Sequence, residues 1–508
     1  MFKVAVFSDS IRSPESLVYN ELNKVGNYLQ HPKPAAPYKV SELFREHGYE
    51  STVFDYFSLW KQDDLLDTLE KYSEGMPLLL AFSLTLNGDK YYTDFLTQYC
   101  KTIKQRFPNA IVIVGGIRPY FDLDAIKKFA DILYIGRSLN LLMDSIHHKF
   151  FDNLFGKKFE PIVVQHKDNE NLMDDPVVHK FYSNDNWSST DVAMFETSLG
   201  CKFNCTFCNY DFRAVKDPKI ASIDRLVEYF NNAKEHGVTH FFAADDTVNE
   251  SDDKMDILYT AIKQLDFTPK IAAYARQDVL NAKPKQVEKM SEIGLHNLFF
   301  GIESFNYDAN KLIRKGAESN KILKTLKNIK DIDSNFFIHA NMILGLAGDN
   351  EQSIRYHNEH ILSQGLVDSV KYRALNLKDY GEEHLWQYQS DIDKNPEKYG
   401  YKVKDAKRIQ KSKNESIIVW RNEWTDYNKM TELQTELAEF NDKTFGITSS
   451  IGNWSFTCLQ ALGAINNPKD FKKDFETNIG FKWGHVYNNN PVNNAVERYI
   501  DIKRKCDK

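Results

Sequence analysis

The sequence predicts an α/β protein built in three parts: a doubly wound parallel-sheet domain, a partial (β/α)6 barrel, and a mostly helical C-terminal region. Three observations predict it. Residues 1–150 alternate short apolar runs with helical stretches, residues 189–378 repeat that alternation six times, and residues 379–508 lose it. At 508 residues the chain exceeds what one hydrophobic core serves, so a multi-domain reading is the natural one.

In the first part the apolar runs are Lys3–Phe7, Ser51–Phe57, Leu78–Ser83, Ala110–Val114 and Ile132–Ile135. Several are continuously apolar, as in parallel strands covered on both faces. Helical stretches such as Tyr92–Phe107 lie between them. Folds of this kind take ligands where the strand order reverses. Gly115 and Gly116, directly after a strand, would let a ligand approach the backbone there. Residues 151–188, with HKDNENLMDDP and SNDNWSS, are polar and weakly periodic and read as a linker.

The second part has strand candidates Asp191–Thr197, Thr239–Ala244, Lys270–Ala275, Asn297–Ile302, Phe336–Leu344 and Ser369–Ala374. A helix starting near Ser222 places Ile223, Leu226, Val227, Phe230 and Ala233 on one face. A later one does the same with Ile322, Leu323, Leu326 and Ile329. Six βα units predict a barrel whose site lies at the strand C-terminal ends. The C-terminal aromatics Trp420, Trp424, Trp454, Phe456 and Trp483 are expected to cap the barrel mouth, as core more than as a substrate platform.

Composition excludes some functions. Hydrophobic residues make up 42% and charged residues 27%, the balance of a globular protein. The net charge of −6 lacks the basic footprint of a nucleic-acid binder. The opening MFKVAVFSDS runs straight into a strand, unlike a signal peptide, and no run of about 18 apolar residues occurs. The expectation is a cytoplasmic protein with no membrane partner.

Of six cysteines, three lie together in ETSLGCKFNCTFCNY: Cys201, Cys205 and Cys208, just after the first barrel strand. A tight cluster in a reducing compartment points to metal. Three thiolates at C-x3-C-x2-C can wrap one corner of a cube, and thiolate is the soft ligand that iron–sulfur clusters need. No fourth cysteine is near, which leaves one iron open, as a reactive site requires. The alternatives are a structural zinc site, with His166 or His179 as the fourth ligand, or unligated core thiols.

The motif, with Phe207 as the aromatic before the last cysteine, resembles the signature of the radical S-adenosylmethionine (SAM) family, and it lies where that family has it. Later segments match in type and order. THFFAADD resembles the second-strand segment that holds the SAM amino group, which implies Asp245 or Asp246. ARQDVL offers Arg276 for the SAM carboxylate, a surface ion pair being the alternative. FFGIES is similar to the fourth-strand segment and implies Glu303 and Ser304 on the ribose. The following Arg314-Lys315-Gly316 is also common in relatives, with no role that the sequence supplies. ILGLAGD resembles the fifth-strand segment along the adenine, implying Gly345 and Gly348; Ala347 and Asp349 stand where proline and glutamate are frequent.

The resemblance implies a 4Fe–4S cluster on the three cysteines, SAM on its open iron, and an external low-potential electron donor. Reductive cleavage of SAM then gives a 5′-deoxyadenosyl radical that removes an unactivated hydrogen. The first domain resembles the cobalamin-binding domain that precedes some such barrels. Ser83-Leu84-Thr85 and Gly115-Gly116 match two of its hallmarks, and the histidine motif after the first strand is absent from SDSIRSPES. Ile135-Gly136-Arg137-Ser138 also departs from the usual acidic glycine segment. The implied function is C–H functionalisation, by cobalamin-dependent methylation or by cobalamin-independent rearrangement or oxidation. A non-catalytic metal-binding regulatory protein is the rival from another class. Cys100, Cys458 and Cys506 are too few for a second cysteine-ligated cluster.

Overall fold

The computed structural model describes residues 2–8, 32–55, 57, 62–84, 90–118, 121–135, 139–165, 176, 178–208, 219–446, 452–461, 463 and 468. The first sheet contains β1 (Lys3–Ser8), β2 (Ser51–Asp55), β3 (Leu78–Ser83), β4 (Ile111–Ile117), β5 (Ile132–Ile135) and β6 (Ile162–Gln165). All are parallel, in the order 2-1-3-4-5-6, so the order reverses beside β1. The continuous burial of β1 and β2 is what a sheet covered on both faces demands. β6 comes from the polar stretch expected to be a linker; as an edge strand its short apolar run alternates half-buried and exposed residues and lacks the full burial of its neighbour β5.

The second sheet runs in sequence order: β7 (Val192–Phe195), β8 (His240–Ala243), β9 (Lys270–Ala275), β10 (Asn297–Glu303), β11 (Phe337–Leu344) and β12 (Ser369–Ala374), all parallel. Helices cross between consecutive strands. The helix Ile223–Glu235 starts at Ser222, whose hydroxyl accepts from Arg225 N–H, and buries Leu226, Tyr229, Phe230 and Ala233. On the inner face Tyr274, Phe299, His339 and Ser369 sit in register across β9 to β12. Their ring centroids are 4.9 Å apart for Tyr274–Phe299 and 5.1 Å for Phe299–His339.

The C-terminal region corrects one expectation and extends another. The helix Asn453–Ala461 does not cover the mouth; it packs against the inner face toward the strand N-terminal ends. Phe456 stacks on Phe337 at the start of β11, with centroids 4.1 Å apart. Asn297, first residue of β10, donates to Thr457 Oγ1 at 2.6 Å and Gln460 Oε1 at 2.8 Å. This plug leaves the opposite, C-terminal ends for the site. The same region adds an antiparallel sheet of β13 (Leu377–Asp379), β14 (Arg408–Ser412) and β15 (Glu415–Ile418) to its helices. Trp483 lies outside the described residues.

The two parallel sheets are stitched at one edge. Lys33 pairs with β7: its N–H donates to Val192 O at 2.7 Å and its O accepts from Met194 N–H at 3.0 Å. Its fully buried ammonium sits 2.9 Å from Asp55 of β2 and 3.1 Å from Asp191 before β7. A buried cation is tolerable only with such partners.

Candidate metal centre and its surroundings

The cysteine loop leaves the end of β7 through Thr197 and Ser198 and turns at Gly200, whose φ of +95° suits a residue without Cβ. What holds its start is Asp245, at the end of β8. That carboxylate accepts from Thr197 N–H at 2.9 Å, Ser198 N–H at 2.8 Å and the Thr197 hydroxyl. The buried Lys254 ammonium stands 2.6 Å away and also donates to Ser198 Oγ at 2.6 Å and Thr247 O at 2.8 Å. Glu250 completes the network, accepting from Lys202 N–H at 3.3 Å. Asp245 is therefore committed to the loop, and not left for the amino group that the resemblance implied for it. Asp246 beside it is half-buried.

Cys205 is buried, while Cys201 and Cys208 are half-buried. Cys208 N–H donates to Cys205 O at 3.1 Å, closing a turn between the last two ligand candidates. Thr206 N–H donates to Ile313 O at 3.3 Å and its carbonyl accepts from Ile392 N–H at 2.9 Å, clasping the loop from outside. Phe207 packs half-buried on the barrel core. Burial pushes the Cys201 thiol up, so ligation there would release a proton. Among the described residues no three His, Cys, Asp or Glu side chains converge as around one small ion. The donor set is soft, and Arg276 Nη1 points at Cys205 Sγ from 3.2 Å, a contact that a negatively charged ligating sulfur accepts well. These residues fit a cysteine-held iron–sulfur cluster.

His179, a possible zinc ligand on sequence, lies elsewhere in function. It is buried in an aromatic cluster, stacked with Tyr38 at 5.1 Å and Trp187 at 5.7 Å, and its Nδ1–H donates to Lys180 O at 3.1 Å. His166 lies outside the described residues.

Arg276 is also turned from its expected role. Its Nε and Nη2 donate to Asp278 at 3.0 and 2.6 Å, and its third face covers Phe203. Glu303 ends β10 at a register shift with φ +67°, a strained conformation for a residue with a side chain. Its carboxylate folds back over Gly301, where a Cβ would come within 2.3 Å of Oε1. Asn341 Nδ2 donates to it at 3.3 Å and the Lys315 ammonium stands 3.6 Å away, itself donating to Gly301 O at 2.8 Å. Burial raises the Glu303 carboxyl, and Lys315 opposes that shift. Lys315 thus gains the role that sequence reasoning did not find for the Arg314-Lys315-Gly316 segment.

The remaining expected SAM contacts serve the scaffold. Ser304 Oγ donates to Asp349 at 2.5 Å, tying the end of β10 to the loop after β11. Gly345 faces Trp420: a Cβ there would lie 2.2 Å from the indole, so the missing side chain makes room for tryptophan, not adenine. Tyr401 and Asn422 also donate to Gly345 O, at 3.0 and 2.9 Å. Gly348 packs on the helix Tyr307–Leu312, a Cβ there meeting Ala309 N and Asp308 Cβ at 3.4 Å. Sequence reasoning missed Lys254, Glu250 and Asn341. Only Asn341 left a signal, as a lone amide within an apolar strand run.

At the other sheet, Ser83 at the end of β3 pairs with Gly115 of β4. Among the described residues nothing lies within 4 Å of where a Cβ on Gly115 would be, and Gly116 has φ +68°. Ser8, ending β1 at the strand-order reversal, is buried with its hydroxyl lacking a hydrogen bond among the described residues. An unsatisfied hydroxyl at the strand-order reversal, with β3 between it and the glycines of β4, fits a bound polar ligand across these strand ends. Thr85 and residues 136–138 lie outside the described residues, as does most of the segment after β1.

Comparison with known proteins agrees with this geometry. Residues 195–361 match the family described as the radical SAM superfamily. A stretch of 196 residues is 27% identical to an uncharacterized methyltransferase of Pyrococcus horikoshii, covering 38% of this chain and 40% of that protein. Among solved structures, the cobalamin-dependent SAM radical enzyme OxsB, with aqua-cobalamin and SAM bound, superposes with a TM-score of 0.58 at 13% identity, over 93% of this chain and 70% of its own. The radical SAM methyltransferase TsrM of Kitasatospora setae, with cobalamin and a 4Fe–4S cluster, gives 0.52 at 11% identity over 74% and 76%. The chain therefore carries a radical SAM domain at residues 195–361, set within the fold that OxsB and TsrM share.

Proposed function

We propose that the chain is a radical SAM enzyme that holds a 4Fe–4S cluster on Cys201, Cys205 and Cys208 and functionalises an unactivated carbon, by methylation through cobalamin bound at the first sheet. The observation that carries this reading is the cysteine triplet on one braced loop at the strand C-terminal ends, without a fourth cysteine close in sequence and with an arginine donor on Cys205. When bound, the cluster supplies the electron that cleaves SAM, and cobalamin supplies a methyl carrier.

The chain's own residues bind, brace and exclude water. Asp245, Lys254 and Glu250 fix the loop's origin; Glu303, with Asn341 and Lys315, offers a carboxylate at the inner face for ribose hydroxyls. The row of Tyr274, Phe299 and His339 forms an aromatic floor beneath that mouth, and Phe456 seals it from below. Ser8, Ser83, Gly115 and Gly116 would cradle the corrinoid. Such an enzyme requires an external low-potential electron donor, and a cytoplasmic setting suits its free thiols. No helix among the described residues is long and apolar enough to cross a membrane.

Anaerobic reconstitution tests the reading: iron and sulfide near four each per chain, 5′-deoxyadenosine formed from SAM, and a corrinoid spectrum retained after gel filtration. Loss of the corrinoid alone would move the chain to cobalamin-independent radical chemistry. Stoichiometric zinc with no SAM cleavage would move it to a non-catalytic metal protein.

A further inference from the structure

Arg276 is the N-cap residue of the helix Gln277–Ala282 and is 6% exposed. Its placement is built from every side. The amide of Asn249, itself fully buried, clasps its backbone in both directions: Arg276 N–H donates to Asn249 Oδ1 at 2.8 Å, and Asn249 Nδ2 donates to Arg276 O at 3.0 Å. Asp278 receives two guanidinium donors, a fork that fixes the plane of the group. Phe203, from the cysteine loop, lies under it with the guanidinium carbon 3.9 Å from the ring centroid. With those contacts made, Nη1 is aimed at Cys205 Sγ, 3.2 Å away.

We propose that Arg276 is a positioning residue that sets the reduction potential of the cluster through Cys205 Sγ, with Asp278 as its electrostatic counterweight. This rests on reading Cys205 as a cluster ligand. Reduction adds one electron from a low-potential donor to the cluster and breaks no bond. An N–H donor on a ligating sulfur stabilises the more electron-rich form, since cluster potentials follow hydrogen bonds to sulfur, net charge and solvent access. The cation acts in the same direction, and the paired carboxylate, 2.6 Å from Nη2, offsets part of its charge. Arg276 therefore raises the potential and Asp278 restrains the rise. The fixed fork also explains why Arg276 is poorly placed to clamp the SAM carboxylate: two of its three nitrogens already serve Asp278.

The test uses the full chain, anaerobically reconstituted and free of SAM. The midpoint potential is read by dithionite-poised titration with electron paramagnetic resonance of the reduced cluster. Arg276→Gln is expected to lower the midpoint by about tenfold in the reduction equilibrium, or ~59 mV for one electron. Asp278→Asn is expected to raise it. Both variants holding a full complement of iron and sulfide at the wild-type midpoint would overturn the proposal, because a SAM-binding arginine leaves the SAM-free potential unmoved. Should Arg276→Gln fail to hold a cluster, Asp278→Asn decides: an upward shift supports the proposal and an unmoved midpoint overturns it. A wild-type chain that takes no cluster overturns the reading beneath, which separates the two failures.

Discussion

Gly345 illustrates how a single residue's role changes between sequence and structure. In sequence it sits where a glycine lets adenine approach the backbone; in space it admits the Trp420 indole, with φ +88° closing the same turn. Replacement by alanine forces a Cβ into the ring and holds a non-glycine residue in the left-handed region. We expect Gly345→Ala to cost about 2–4 kcal/mol in urea unfolding. A stability equal to wild type, with altered SAM affinity instead, would restore the adenine role. The cysteine triplet stands out in sequence because three soft ligand candidates at fixed spacing are rare without a shared metal. Lys254 and Lys315 do not, because lysine is common on surfaces and only the fold shows these two facing buried carboxylates.

Among the secondary-structure elements, the parallel strands were legible for a physical reason. Strands covered on both faces must be continuously apolar, and turns between them must be polar. β6, β14 and β15 escaped because they span only four or five residues set between polar stretches, too short for a periodic signal. The helix Asn453–Ala461 shows the same limit from the other side. Its aromatics announced a covering element, but not which end of the barrel it covers. Phe456 is fully buried against Phe337, so Phe456→Ala should cost about 3–5 kcal/mol, read as a lowered denaturant midpoint. A loss below 1 kcal/mol would mean that the plug does not seat as described.

For the molecule as a whole, the junction between the sheets holds one group that ties stability to pH. His179 is fully buried among Tyr38 before β2, Trp187 and Phe181, and Tyr229 of the barrel helix. Burial lowers its pKa from 6.5 to about 3. A depressed histidine is neutral in the folded state where the unfolded chain would take a proton. Its contribution is therefore complete above about pH 6.5 and is lost as the pH falls toward 3, on the order of 5 kcal/mol in all. His179→Phe should flatten that limb of the Tm-versus-pH curve; an unchanged slope would place the acid sensitivity elsewhere.

The loop of Cys201, Cys205 and Cys208 is proposed to hold a cluster that cleaves SAM. Its most direct test is the anaerobic formation of 5′-deoxyadenosine from SAM under dithionite, measured beside Cys205→Ala. Product is expected from the reconstituted wild-type chain and background levels from the variant. Equal product from both, or none from a wild-type chain loaded with iron and sulfide, would contradict it.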